Sequence, residues 1–486
     1  SLFKNAIAKT EHVEDTDELI QKFNSTVASQ FYQNVSFSLF SKHKLLFSIL
    51  LATRILVSDK IISTSELAFL LSPQVTQQEK TIDFISDESW PLLLSLSKVS
   101  PSFENIIEDI TNNAEKWKKY IDLTEPETCS ELPLENLTPF DKLLLLRVFH
   151  LHRVREGLRI FVSETLGKEF VTPPALNLAN VFKESNPLSP LIFIITPGID
   201  PVDEVTEVAT SMELEKYLRC YSLGRGRGAG AEELILDSAE KGFWVLLQNC
   251  HLSLSWMPRL EYLIDHMDPA KTSDRFRLCL VTMSDDRFPI GILYQGTKLI
   301  YEIPKGIREN MLRIYNGFNQ DEYINDYNDT ERQLTFHLAF YHSVVLERLQ
   351  FGSIGWNIPY EFNPSDLMIS RKHLRTFLNE SPPNEIPFEA LSYVIGELNY
   401  GGRVTDPLDR RLLLSLLRMY FSKEIESPNF SFGPRYPIPQ FSDPLNEVLS
   451  IISTWPIVTE SADVGLSLNA STIIARNDAL NIFNNL

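Results

Sequence analysis

The hydrophobic positions fall into three textures along the chain. From about Thr16 to Lys168 they recur at three- and four-residue spacing, as in Leu45, Ile49, Thr53 and Leu56 and again in Leu143, Val148, Leu151, Val154, Leu158 and Phe161. That spacing marks one buried helical face. Ser72-Pro73, Ser100-Pro101 and Thr138-Pro139 interrupt the pattern, so a series of separate helices is expected. After Pro173-Pro174 the texture changes. Three short apolar runs, at 191–196, 243–247 and 276–281, alternate with helical stretches from Val202 to about Leu218 and from Ala231 to Lys241. Unbroken apolar runs predict strands buried on both faces, and helices between them predict a parallel α/β sheet. Beyond Gly306 the helical pattern returns. Leu334, Leu338, Tyr341, Val345 and Leu349 line one face, and Phe388, Leu391, Val394, Ile395 and Leu398 line another, ending at Gly401-Gly402 as a glycine cap would. No short-period repeat is present.

Composition narrows the classes. The 486 residues carry 45 Lys+Arg against 64 Asp+Glu, a net charge of −19, which is the wrong sign for a reader of nucleic acid. Four scattered cysteines, Cys129, Cys220, Cys250 and Cys279, form no CxxC pair, so free thiols are expected rather than a disulfide framework or a zinc knuckle. The N-terminal residues lack the apolar core of a signal peptide. The run Leu45–Thr53 is cut by Arg54 well short of the ~20 residues that cross a bilayer, so neither secretion nor a membrane partner is expected. The chain begins at Ser1 without an initiator Met, as a piece of a longer protein would.

A parallel sheet with a glycine cluster, Gly224 to Gly230, invites a nucleotide hypothesis. The phosphate-binding motif GxxxxGK[ST] needs a lysine for the phosphates and a hydroxyl for the metal. The Gly167-Lys168 pair is followed by Glu169, and the first strand leads into Thr196-Pro-Gly-Ile-Asp-Pro201, without a lysine. The second strand ends in Gln248-Asn249, amides that bind Mg²⁺ poorly and cannot act as a base. Gly224-Arg-Gly226-Arg-Gly-Ala229 satisfies the loose dinucleotide fingerprint, but the acid expected ~20 residues on is missing. A structural turn is the favoured reading. Arg225 and Arg227 are read as solvated loop arginines, with the grip on a partner's phosphate or carboxylate as the alternative. His150 with His152 and His337 with His342 have the wrong spacing for helical metal ligands and are expected at helix surfaces or core edges. Arg403, Asp406, Asp409, Arg410 and Arg411 read as an ion-paired helix cap.

Several stretches resemble the dynein heavy chains, specifically the sixth and last AAA+ module of the motor ring. They are Leu39-Phe-Ser-Lys-His-Lys-Leu-Leu-Phe47, Pro190-Leu-Ile-Phe-Ile-Ile-Thr-Pro-Gly-Ile-Asp-Pro201, Ser222-Leu-Gly-Arg-Gly226, Trp244-Val-Leu-Leu-Gln-Asn-Cys-His-Leu252, Ser255-Trp-Met-Pro258, Phe351-Gly-Ser-Ile-Gly-Trp-Asn-Ile-Pro-Tyr-Glu-Phe362 and Asn399-Tyr-Gly-Gly-Arg-Val-Thr-Asp406. The glycine loop and the Leu247–Leu252 run look axonemal rather than cytoplasmic. Two stretches depart from the family pattern, Val148-Phe-His-Leu-His-Arg-Val154 and Asp463-Val-Gly-Leu-Ser-Leu-Asn-Ala470.

The resemblance implies an α/β fold: a degenerate AAA+ P-loop-like parallel sheet at 176–312, a helical region at 1–175 leading into it, and a helical lid at 313–486. Thr196 to Pro201 would stand at the Walker A position, Gln248 and Asn249 at the Walker B position, and Thr282 on the sensor strand. It implies a segment of an ATP-driven, minus-end-directed microtubule motor that closes the ring without hydrolysis and relays conformational change. No catalytic, cofactor-binding or metal residue is expected here, ATP and Mg belonging to other modules of the parent chain. The implied partners are neighbouring AAA+ modules and, through the parent chain, dynein intermediate and light chains and microtubules, in the cytoskeleton of a cilium or flagellum. Two alternatives remain open: an NTPase completed by groups from a neighbouring module, and a dinucleotide oxidoreductase using the Gly224 loop.

Overall fold

The computed structural model describes residues 16–75, 79–129, 134, 137–171, 177–196, 199–224, 226–302, 304–318, 323, 327–382, 385–427, 430–442 and 444–485. They divide into two compact units. One takes in the chain up to Ile192, with Ile292–Ile300 and the tail from Thr472; the other takes in Phe193–Gly291 and Tyr301–Ser471.

The first unit is built from helices whose ends obey local chemistry. Thr138 and Asp141 form a reciprocal capping box at the start of helix Pro139–Phe149, with proline at its first position, where a missing N–H costs nothing. Its Leu143 to Leu146 are all buried and share a core with Trp90, Leu93, Phe103, Ile110, Trp117, Leu158 and Phe161. The last helix, Leu468–Asn485, returns to this core rather than to the lid, which the sequence-based boundary at 313 does not anticipate. Ala479 and Phe483 are buried in it. Arg147 lies over the Phe483 ring at 4.5 Å, and Arg155 pairs with Asp478 at 2.9 Å.

The sheet has five strands, β1 Leu191–Ile195, β2 Leu218–Ser222, β3 Trp244–Gln248, β4 Arg277–Met283 and β5 Thr297–Tyr301, in the order β2-β3-β4-β1-β5. β2 runs parallel to β3 with Leu218 opposite Trp244, and β3 parallel to β4 with Trp244 opposite Arg277. Three of these strands coincide with the apolar runs; β2 and β5 do not. The helix expected to reach Leu218 stops at Ser211, and Leu218 instead opens β2, the strand that carries Cys220. A helical lid completes the architecture. Its central helix, Asp329–Leu349, is buried nearly all round, with Phe340 stacked on Phe432 at 3.8 Å and set edge-on to Trp455.

The lid corrects two further expectations. Gly401 has φ −66° and caps nothing in the left-handed region. Residues Tyr393–Tyr400 instead wind as a π-helix, closed by the Gly401 N–H donating to the Gly396 carbonyl. A Cβ on Gly401 would lie 2.5 Å from that oxygen, so glycine is required by close approach. His337 and His342, expected at the surface or core edge, are 1% and 0% exposed. The segment that departs from the family pattern near the end is anchored by buried Val464 and Ala470, while Leu468 between them is largely exposed.

Candidate nucleotide site

In open α/β sheets ligands sit beyond the carboxyl ends of the strands, so that edge is where a nucleotide would bind. After β1, the Thr196 N–H donates to the Tyr301 carbonyl at 3.1 Å, and Pro197 and Gly198 lie outside the described residues. Asp200 accepts from the Val202 N–H at 3.1 Å, and helix Val202–Ser211 carries Asp203 and Glu204 in its first turn. Three carboxylates thus stand where a phosphate-binding turn offers bare N–H groups. The helix dipole favours one negative charge at that end, and here the protein supplies its own. Glu204 also lies against Tyr301, whose hydroxyl is pushed well above its ordinary range by burial first and by this carboxylate second.

At the end of β3 the Asn249 side-chain amide is engaged internally. Asn249, in the left-handed region at φ 57°, donates from Nδ2 to Ser222 Oγ at the end of β2 at 3.1 Å. The Gln248 backbone carbonyl accepts from the Leu223 N–H at 2.9 Å. His251 Nδ1 accepts from the Met283 N–H at 3.3 Å, which ties the β3 turn to the end of β4 and requires an unprotonated Nδ1. Burial lowers its pKa, partly opposed by Asp285. Thr282 turns its hydroxyl to the Met283 carbonyl at 3.0 Å. Asp285 accepts three hydrogen bonds from Arg287, which hold it ionised down to about 2.

The glycine cluster has a local explanation. Gly226 sits at φ +80°, a conformation glycine adopts without steric cost. Gly228 starts helix Gly228–Lys241 directly beneath the Trp256 indole, whose Cδ1 would lie 2.4 Å from a Cβ there. The indole therefore occupies the close backbone approach that a dinucleotide pyrophosphate would need. What remains is a shallow cleft of about 350 Å³ lined by Gly226, Gly228, Ala229, Leu252, Ser253, Ser255 and Trp256, with no charged side chain among the described residues. Arg227 folds back to donate to the Ser222 carbonyl at 3.3 Å, and Arg225 lies outside the described residues. Sequence reasoning singled out the glycines but missed Trp256 as their reason; the Ser255–Pro258 motif was the available signal.

The remaining candidates are placed elsewhere. Lys168 lies in a single turn of 3-10 helix, Lys168–Phe170, among the N-terminal helices. His150 is buried with Nε2 on the Tyr120 carbonyl at 3.1 Å. Among the described residues no group of His, Cys, Asp and Glu could hold a metal ion. The Arg403–Arg411 cluster is a cap, as expected, but its charges bond outward rather than to each other. Asp406 accepts from the Leu408 and Asp409 N–H groups, Arg403 pairs with Asp366 at 3.0 Å, and buried Asp409 accepts from the Asn357 and Ile358 N–H groups and the Tyr360 hydroxyl. Two of the stretches behind the resemblance, Phe351–Phe362 and Asn399–Asp406, meet directly beside these bonds, where Asn357 Nδ2 donates to Asp406 Oδ1 and the Asp406 N–H to the Tyr360 hydroxyl, both at 3.3 Å.

Comparison with known proteins agrees with this architecture. Residues 186–300 match the dynein heavy chain region D6 P-loop domain, and residues 331–470 match the dynein heavy chain AAA lid domain. Dynein axonemal heavy chain 1 of Homo sapiens is 37% identical over 487 residues, covering 98% of this chain and 11% of that protein. Dynein axonemal heavy chain 12 of Rattus norvegicus is 37% identical over 469 residues, 93% of this chain and 15% of that one. The Dynein-1-beta heavy chain, flagellar inner arm I1 complex, of Chlamydomonas reinhardtii is 35% identical over 472 residues, 94% of this chain and 10% of its own length. The chain belongs to the dynein heavy chain family and carries its D6 P-loop domain and AAA lid.

Proposed function

We propose that this segment is a non-hydrolysing structural module of a microtubule motor, closing the motor ring and passing on motion set by ATP hydrolysis in other modules. The observation that carries the reading is the carboxyl edge of the sheet. Phosphoryl transfer needs cations at the phosphates and acids that hold the metal and orient water. Here three carboxylates, Asp200, Asp203 and Glu204, crowd the turn after β1, and the amide at the end of β3 is spent on Ser222. On this reading no residue of the segment is catalytic or binds a cofactor or metal; ATP and Mg serve elsewhere in the parent chain. The segment comprises a helical region to about residue 175, an α/β subdomain to about 312 and a lid beyond it, from which the tail from Thr472 returns to the first helical region. Its partners are the adjoining modules and, through the parent chain, intermediate and light chains and the microtubule. The axonemal names of its relatives support a place in a cilium or flagellum. Calorimetric titration of the segment with Mg-ATP tests the reading: no heat of binding is expected, and micromolar affinity overturns it.

A further inference from the structure

The connection from β5 into the lid is held in an unusual way. Gly306 stands immediately before helix Ile307–Asn316 with φ 94° and ψ 145°, a conformation in which a side chain is strained. A Cβ there would also come within 3.0 Å of the Ile457 carbonyl oxygen. The Gly306 N–H donates to Glu347 Oε2 at 2.7 Å. Next to it the Ile307 N–H donates to Thr459 Oγ1 at 3.1 Å, and Asn310 Nδ2 reaches back to the Pro304 and Gly306 carbonyls, both at 2.9 Å. Glu347 is 7% exposed and belongs to the buried central lid helix. An ionised carboxylate in such a place is costly unless it is paired or hydrogen-bonded. Burial pushes its pKa up, while the Gly306 N–H and Lys305 pull it down.

We propose that Pro304–Ile307 is a locked hinge and that Glu347 is the positioning residue that locks it, so that the strand-to-lid connector and the central lid helix turn as one piece. Swinging the connector away would strip the Gly306 N–H from a carboxylate that solvent hardly reaches. Thr459 adds a second point of attachment from the far end of the lid, so rotation about Gly306 breaks both bonds together. The lock depends only on contacts inside one compact unit and stands whether or not the segment binds nucleotide.

Trypsin provides the probe, because Lys305 is exposed while the bond on its C-terminal side is held by Gly306. In the full segment, cleavage after Lys305 should be slow in the wild type. It should be at least about tenfold faster in Glu347→Ala, as expected for loss of a hydrogen bond to a charged group. Glu347→Gln, which keeps an acceptor oxygen, should stay within about threefold of wild type, given the modest worth of a neutral bond. Amide exchange should accelerate at Gly306 in Glu347→Ala and at Ile307 in Thr459→Val, with the middle of helix 329–349 still protected. Unchanged cleavage and exchange in Glu347→Ala would overturn the proposal, as would equal acceleration in Glu347→Gln. Should Glu347→Ala fail to fold, Glu347→Gln and Thr459→Val decide: unchanged Ile307 exchange in the latter rejects the lock. Mg-ATP titration of the same proteins separates this outcome from the nucleotide reading.

Discussion

Lowering the pH should destabilise the lid through two buried histidines. His337 Nδ1 donates to the Tyr420 carbonyl, 3.0 Å away, and the ring is surrounded by Phe430, Phe432 and Phe441; burial holds its pKa down to about 4, partly opposed by that bond. His342 bonds the Tyr400 hydroxyl through Nδ1 at 2.8 Å, and burial, with Arg313 adding to it, holds it down to about 3. The unfolded chain titrates its histidines near about 6.5. Both folded values lie below that, so the neutral rings contribute full stability above about 6.5 and lose it as pH falls towards the folded values. At about pH 5 an unfolded histidine is almost wholly charged and either folded one almost wholly neutral. With ~1.4 kcal/mol per pH unit, each histidine then costs about 2 kcal/mol relative to neutral pH, and the pair about 4 kcal/mol. Urea unfolding monitored by fluorescence at a series of pH values reads this directly. His337→Asn places an amide nitrogen near the position of Nδ1; it should lower stability at neutral pH and flatten the slope below about pH 6 by roughly 1 kcal/mol per unit. Parallel wild-type and variant curves through that window would refute the assignment of a buried neutral ring.

Other perturbations test the packing. Gly228→Ala drives a methyl into the Trp256 indole and should cost about 1–3 kcal/mol, whereas Gly224→Ala, with open space around it, should stay within about 0.5 kcal/mol; thermal melts compare them. Arg153→Ala strips its partner from Glu127, whose side chain is 3% exposed, and should cost about 3–5 kcal/mol, more than replacing both residues together by apolar ones. Asp409→Ala should free the Asn357–Tyr360 turn, seen as faster amide exchange at Asn357 and Ile358 with the helix Pro407–Tyr420 still protected.

The architecture was legible where burial is two-sided. β1, β3 and β4 lie inside the sheet and read as apolar runs, that of β4 interrupted only by Arg277 at its start and Thr282 near its end. β2 and β5 form its edges, and Leu-Arg-Cys-Tyr-Ser and Thr-Lys-Leu-Ile-Tyr mix polar and apolar residues as edge strands do, so neither stood out. The central lid helix misled for the opposite reason. Its polar residues suggested an exposed face, but they are bonded inward: Arg332 donates to the Tyr323 and Phe441 carbonyls and Arg348 to the Gly355 and Val464 carbonyls. Periodicity registers that a residue is polar and is blind to a distant carbonyl that satisfies it. The same blindness hid Trp256 over Gly228, a contact between residues far apart in sequence.

The π-helical turns at Tyr393–Tyr400 bear on how this stretch tolerates insertions and deletions. A π turn holds one residue more than an α turn, so removing any one residue between Tyr393 and Tyr400 lets the segment relax to the cheaper α-helix. Because the α turn closes with one residue fewer, the residues after the deletion would keep nearly their present phase about the helix axis, leaving Tyr400 near His342 and Asn399 near Ser370, which it now reaches at 3.0 Å. A single-codon deletion here is therefore absorbed as a tightening rather than a twist, and should be tolerated better than one in the flanking α-helices, where everything beyond the lost residue would turn by about 100°.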